Sequence, residues 1–109
     1  DTPATVEEVV EAVKAEGSID AVAIQISESA GGLRHPVEEI AKAVKAIRPD
    51  VMVIADGITA VGVERIDTTH IDALIAGSQK ALMLPPGLAI LGLSNAAVEK
   101  IGEGRGYYL

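Results

Sequence analysis

The chain has 109 residues, a formal net charge of −7, no cysteine, and a 49% hydrophobic composition in which Tyr107 and Tyr108 are the only aromatics. This length suits a single domain; the missing cysteines exclude disulfides and thiolate metal sites, and an acidic chain without a Lys/Arg cluster argues against nucleic acid as a partner. No apolar stretch reaches membrane-spanning length and the first residues lack a signal-peptide pattern, so a cytoplasmic location away from membranes is expected.

Thr5 with Glu8 three residues on makes a capping box, and Val6, Val9, Val10 and Val13 recur at helical spacing until Gly17. A short amphipathic helix is predicted there. Ala21 to Ile26 reads as a buried strand, followed by Ser27 to Gly32 as a polar, flexible loop. A second helix is predicted from Pro36, with Glu38 and Glu39 in its first turn, Lys42, Lys45 and Arg48 toward its end, and a buried stripe of Val37, Ile40, Ala41, Val44 and Ile47. Pro49 stops it, and Val51 to Ala55 lacks polar alternation, as expected of a parallel strand covered on both faces.

After Asp56 the chain is less regular through Thr69; Asp72 to Ala76 is the third strand candidate and Leu88 to Leu93 the fourth. Only Ala81 to Gly87 separates the fourth strand from Lys80, too short for a crossover helix, so an antiparallel pairing is predicted. Ser94 can cap a last helix running through Ile101. The expected fold is α/β, three-layer, with a mostly parallel sheet and one antiparallel strand, its core built from Val, Ile, Leu and Ala.

In open parallel sheets ligands bind beyond the carboxyl ends of the strands, where Ser27 to Gly32, Asp56 to Thr59 and Gly77 to Lys80 would meet. Taken alone, Asp56 also reads as a turn aspartate bonding its own backbone, and Lys80 as a solvated surface charge. The apolar Ala81-Leu82-Met83-Leu84 beside Lys80 is expected to desolvate its amine, a setting in which a lysine can condense with a carbonyl. Gly31 and Gly32 lack a phosphate-loop pattern, Pro85-Pro86-Gly87 reads as a rigid turn, and Tyr107 and Tyr108 read as packing residues. His35, read as a helix cap or surface residue, and His70 share no metal-ligand spacing, so no metal is expected.

Asp56-Gly57-Ile58-Thr59-Ala60-Val61-Gly62, then Ile71-Asp72-Ala73-Leu74-Ile75-Ala76-Gly77-Ser78-Gln79-Lys80-Ala81-Leu82 and Pro85-Pro86-Gly87, closely resemble class V aminotransferases, most of all the alanine–glyoxylate and serine–glyoxylate (serine–pyruvate) group. Ser27-Glu28-Ser29 and Pro36-Val37-Glu38-Glu39-Ile40 fall in the same register. The resemblance implies part of the large domain of a fold-type I, pyridoxal 5'-phosphate-dependent homodimer, acting on an amino acid and a 2-oxo acid. It implies that Lys80 condenses with the cofactor aldehyde and then shuttles a proton, that Asp56 pairs with the pyridine nitrogen, and that Ile58 packs on the ring. Gln79 resembles a phosphate contact, Ser29 a hydroxyl at the cofactor's polar edge, and Ser78 a further member of the motif. Family members are several times longer, which makes this chain an internal, lysine-bearing piece that is expected to be inactive alone. Two other readings fit the α/β alternation: a receiver- or flavodoxin-like module with Asp56 as phosphoacceptor, and a non-catalytic scaffold fragment.

Overall fold

Nine elements follow in chain order in a computed structural model that describes residues 2–102: α1 (Val6–Ala15), β1 (Ala21–Gln25), β2 (Ser27–Glu28), β3 (Leu33–Arg34), α2 (Val37–Ile47), β4 (Met52–Asp56), β5 (Ala73–Gly77), β6 (Ala89–Leu93) and α3 (Asn95–Glu99). Tyr107 and Tyr108 lie outside the described residues. The capping box at α1 is formed in both directions: Glu8 N–H donates to Thr5 Oγ1 at 3.2 Å and Thr5 N–H donates to Glu8 Oε2 at 2.9 Å. Two of the helix's orphan amide donors are thereby satisfied.

The main sheet has the order β1-β4-β5-β6, with β1, β4 and β5 parallel and β6 antiparallel to β5. Gln25 lies opposite Asp56 and Asp56 opposite Ile75, so the carboxyl ends of the three parallel strands are nearly level. Val53 and Ala55 of β4 are fully buried with Val13 of α1 and with Val37, Ile40, Ala41 and Val44 of α2, so the two helices form a layer against one face of the sheet. On the other face Met52, Ile54 and Asp56 are only half-buried. The unbroken apolar run of β4 therefore becomes an alternation of burial, because its two faces meet different surroundings.

Several local expectations are corrected. Ser27 to Gly32 is ordered into a β2–β3 hairpin, with Ser27 opposite Arg34 and Glu28 opposite Leu33. Glu28 Oε1 accepts from Ala30 N–H at 2.7 Å, an aspartate-like turn contact that a polar composition alone does not reveal. Strand β1 is an edge strand, and Ala23 and Gln25 are exposed rather than buried. Helix α3 ends at Glu99, short of Ile101, although Ser94 does cap it by accepting from Ala97 N–H. His35 does not cap α2; its Nδ1 accepts from Ala4 N–H at 3.0 Å and ties the N-terminal segment to the helix start. Among the described residues no helix is long and apolar enough to cross a membrane.

Candidate active site

Asp56 closes β4, and the turn that follows is built around Gly57. A Cβ at Gly57 would stand 2.9 Å from both Leu74 Cδ1 and Val61 Cγ2 and 3.3 Å from the Ile75 carbonyl, so any side chain here would have to displace these neighbours for the chain to turn against β5. Gly57 N–H donates to that carbonyl at 2.9 Å, and Ala60 and Val61 N–H both donate back to the Gly57 carbonyl. Asp56 Oδ1 accepts from Ile58 N–H at 3.0 Å, which fixes the carboxylate's orientation in the manner of an Asx-turn. The turn bond occupies only one oxygen: among the described residues the second, Oδ2, accepts no hydrogen bond.

Three residues beyond β5 stands Lys80, at the same end of the sheet as Asp56 and in the loop after the neighbouring strand. Its loop is closed from within. Ser78, fully buried, donates to the Pro85 carbonyl at 2.7 Å and accepts from Leu88 N–H at 3.3 Å, while Leu84 N–H donates to the Ser78 carbonyl and Met83 N–H to that of Lys80. The hydroxyl of Ser78 thus holds the base of the Gln79–Gly87 loop. Gln79 is exposed and its Oε1 would lie 2.6 Å from a Cβ at Gly77, so the amide folds back over the end of β5.

The expected desolvation of Lys80 is not found. Met83 takes a left-handed backbone, φ 54°, and Leu82, Met83 and Leu84 are themselves exposed; Lys80 is exposed as well, without an ion pair among the described residues. Adjacent apolar residues in sequence cover a lysine only if the backbone folds them over it. Of the remaining candidates, Ile58 is half-buried beside Asp56, and Ser29 is exposed in the β2–β3 turn beyond β1.

Asp72 was not singled out by the sequence, yet it is the most heavily bonded carboxylate in the described residues. Its Oδ2 meets Lys45 Nζ at 2.6 Å and accepts from Val53 N–H at 2.8 Å, and its Oδ1 accepts from Ser94 Oγ at 2.9 Å. It lies just before β5, at the end of the sheet opposite Asp56 and Lys80, so its role is structural. The one signal was an aspartate embedded in the apolar run Ile71 to Ala76.

The model of the family "Aminotransferase class-V" matches residues 4–106. The chain belongs to the class V aminotransferases. Among relatives of this class V chain, an uncharacterized aminotransferase of Helicobacter pylori (strain ATCC 700392 / 26695) is 57% identical over 103 residues, 94% of this chain and 28% of that protein. A serine–glyoxylate aminotransferase of Methylorubrum extorquens is 34% identical over 108 residues, 95% of this chain and 27% of its own length. The crystal structure of an aspartate aminotransferase of subgroup IV from Thermus thermophilus superposes with a TM-score of 0.83 at 31% identity, covering 98% of this chain and 30% of that one. The chain thus spans under a third of the length of these class V relatives. Class V aminotransferases depend on pyridoxal phosphate, and the mostly parallel sheet with one antiparallel strand is shared with fold-type I aminotransferases. The receiver-like reading falls with this membership, and also because β5 runs directly into an antiparallel β6 with no crossover helix between them.

Proposed function

We propose that this chain is the lysine-bearing part of the large, cofactor-binding domain of a pyridoxal-phosphate-dependent aminotransferase that moves an amino group from alanine or serine to glyoxylate or another 2-oxo acid, and that the 109-residue chain is inactive alone. The observation that carries this reading is the placement of Asp56 at the carboxyl end of β4 and of Lys80 in the loop that leaves the same end of the neighbouring parallel β5, with the amine and one carboxylate oxygen both uncommitted among the described residues. An amine for an aldehyde and a carboxylate for a ring nitrogen are the donor set this cofactor needs. The glyoxylate specificity is drawn from the serine–glyoxylate relative.

Pyridoxal phosphate, when bound, supplies an electron sink for the pair left when the substrate's alpha proton departs. Lys80 would hold the cofactor aldehyde through its amine and, when that amine is free, would accept and return the substrate's alpha proton at Nζ. Asp56, oriented by Ile58 N–H, keeps a proton on the ring nitrogen. Ile58 supplies an apolar wall that excludes water. Ser29 and Gln79 are assigned to the polar edge and phosphate; Ser78, expected from the resemblance to join them, has its buried hydroxyl committed to Pro85 and Leu88 and is assigned instead to holding the loop that carries Lys80. The complete protein is read as a homodimer.

The test is made on the full-length protein carrying this sequence. Borohydride treatment of the cofactor-loaded protein should fix a pyridoxyl group on the peptide containing Lys80, and Lys80→Ala should abolish both this adduct and transamination. Asp56→Asn should retain the adduct and lower kcat. Labelling of a different lysine, or undiminished turnover by Lys80→Ala, would sink the proposal.

A further inference from the structure

Arg34 is the residue in which three segments around the candidate site converge. It ends the short hairpin whose turn carries Ser29, and it spreads its guanidinium over two carboxylates: Nε donates to Glu64 Oε2 at 2.7 Å and Nη2 to Glu38 Oε1 at 2.8 Å, while Nη1 donates to the His35 carbonyl at 3.0 Å. Glu38 belongs to the first turn of α2, and Glu64 to the loop that leaves Asp56.

From Glu64 a continuous chain of backbone bonds leads to the candidate site. Glu64 N–H donates to the Ala60 carbonyl, Ala60 N–H to the Gly57 carbonyl, and Gly57 N–H to the Ile75 carbonyl of β5, while Val61 and Glu64 form a further bridge. At the near end of this loop Ile58 N–H orients the Asp56 carboxylate. The other side of Arg34 reaches the hairpin through its pairing with Ser27, and Ile26, which enters the hairpin, donates its N–H to the Asp56 carbonyl at 2.9 Å. Hydrogen bonds to Glu38 and Glu64 push the guanidinium further above its ordinary range.

Resting on the proposed function, we infer that Arg34 is a positioning residue: its bond to Glu64 fixes the Gly57–Glu64 loop against the Ser29 hairpin and so sets the geometry of Asp56 and Ile58, whereas its bond to Glu38 serves only to anchor α2. Arg34 itself touches no reacting atom in this scheme. An arginine suits the task because its planar fork can serve two carboxylates at once, which a lysine cannot do with the same geometry.

The two bonds are separable by substitution in the full-length protein titrated with pyridoxal phosphate. Arg34→Met and Glu64→Gln are each expected to weaken cofactor binding about fivefold, as befits a partly exposed ion pair within a network, and to alter the visible circular dichroism of the bound cofactor. Glu38→Gln is expected to leave affinity and dichroism within about twofold of wild type while lowering the melting temperature, and Arg34→Lys to recover part of the affinity lost in Arg34→Met. In the cofactor-free protein, amide exchange at Ala60, Val61 and Glu64 should accelerate in Glu64→Gln and not in Glu38→Gln. The inference is overturned if Glu64→Gln binds and exchanges like wild type, or if Glu38→Gln matches it in cofactor affinity. A wild-type protein that takes up no cofactor overturns the proposed function as well, so the two failures are told apart.

Discussion

Gly57 shows how tightly the candidate site is framed. It separates Asp56 from Ile58, it is buried, and the space for its missing side chain is already filled by Leu74 and Val61. Gly57→Ala should therefore push β5 and the loop apart, with a cost of about 1–3 kcal/mol typical of overpacking. Urea unfolding would read this as a lower midpoint at unchanged slope, and an unchanged midpoint would mean that the loop relaxes freely. That Asp56 and Lys80 lie at one end of the sheet was legible in the sequence, because Asp56 directly follows one apolar run and Lys80 follows another after Gly77-Ser78-Gln79. The exposure of Lys80 was not legible, since it depends on how the loop after β5 folds, and that loop includes Met83 in a left-handed backbone that side-chain-bearing residues rarely adopt.

At the scale of elements, the sheet is held at its far end by the Asp72 cluster. Its carboxylate joins α2 through Lys45, β4 through Val53 N–H and the start of α3 through Ser94, and Lys45 Nζ also donates to the Val51 carbonyl at 2.7 Å. Burial raises the affinity of Asp72 for its proton, but the hydrogen bonds from Lys45, Val53 and Ser94 together outweigh it and hold the group below the usual carboxylate range. Because the folded chain binds this proton more weakly than the unfolded one, the stabilisation is fully present above about pH 4 and is lost as the pH falls through the lowered folded value. Lys45→Met leaves the carboxylate buried without its cation and should cost about 2–4 kcal/mol at neutral pH, somewhat below the figure for a wholly buried pair because Lys45 is partly exposed. Denaturant titrations at pH 7 and in acid should show the difference from wild type shrinking as Asp72 protonates; a pH-independent difference would refute the ionic account. The helices and the antiparallel β6 were readable from periodicity and loop length, whereas this cluster joins residues far apart in sequence, which no local pattern encodes.

For the molecule as a whole, the distribution of exposed apolar surface is the property with the largest consequence. Every residue of β6 is exposed, and β6 is an edge of the sheet among the described residues. Met83 is 89% exposed, Leu88 66% and Leu91 56%, forming with Leu84 and Ile90 a band that runs from the Lys80 loop along β6. Free edge amides beside apolar side chains are a template for pairing with another strand. The sequence already showed an apolar fourth strand, but not that its surroundings leave it uncovered. We expect the 109-residue chain alone to associate as its concentration rises, with β6 at the contact, and to take up no pyridoxal phosphate. Light scattering across a dilution series measures the first outcome and absorbance with added cofactor the second. Leu91→Lys should weaken association without loss of stability, since the side chain it replaces is already solvent-exposed and a lysine on an edge strand opposes strand addition. A chain that stays monomeric at every concentration would show that this band does not drive association, would leave β6 a tolerated edge, and would count against the non-catalytic scaffold reading.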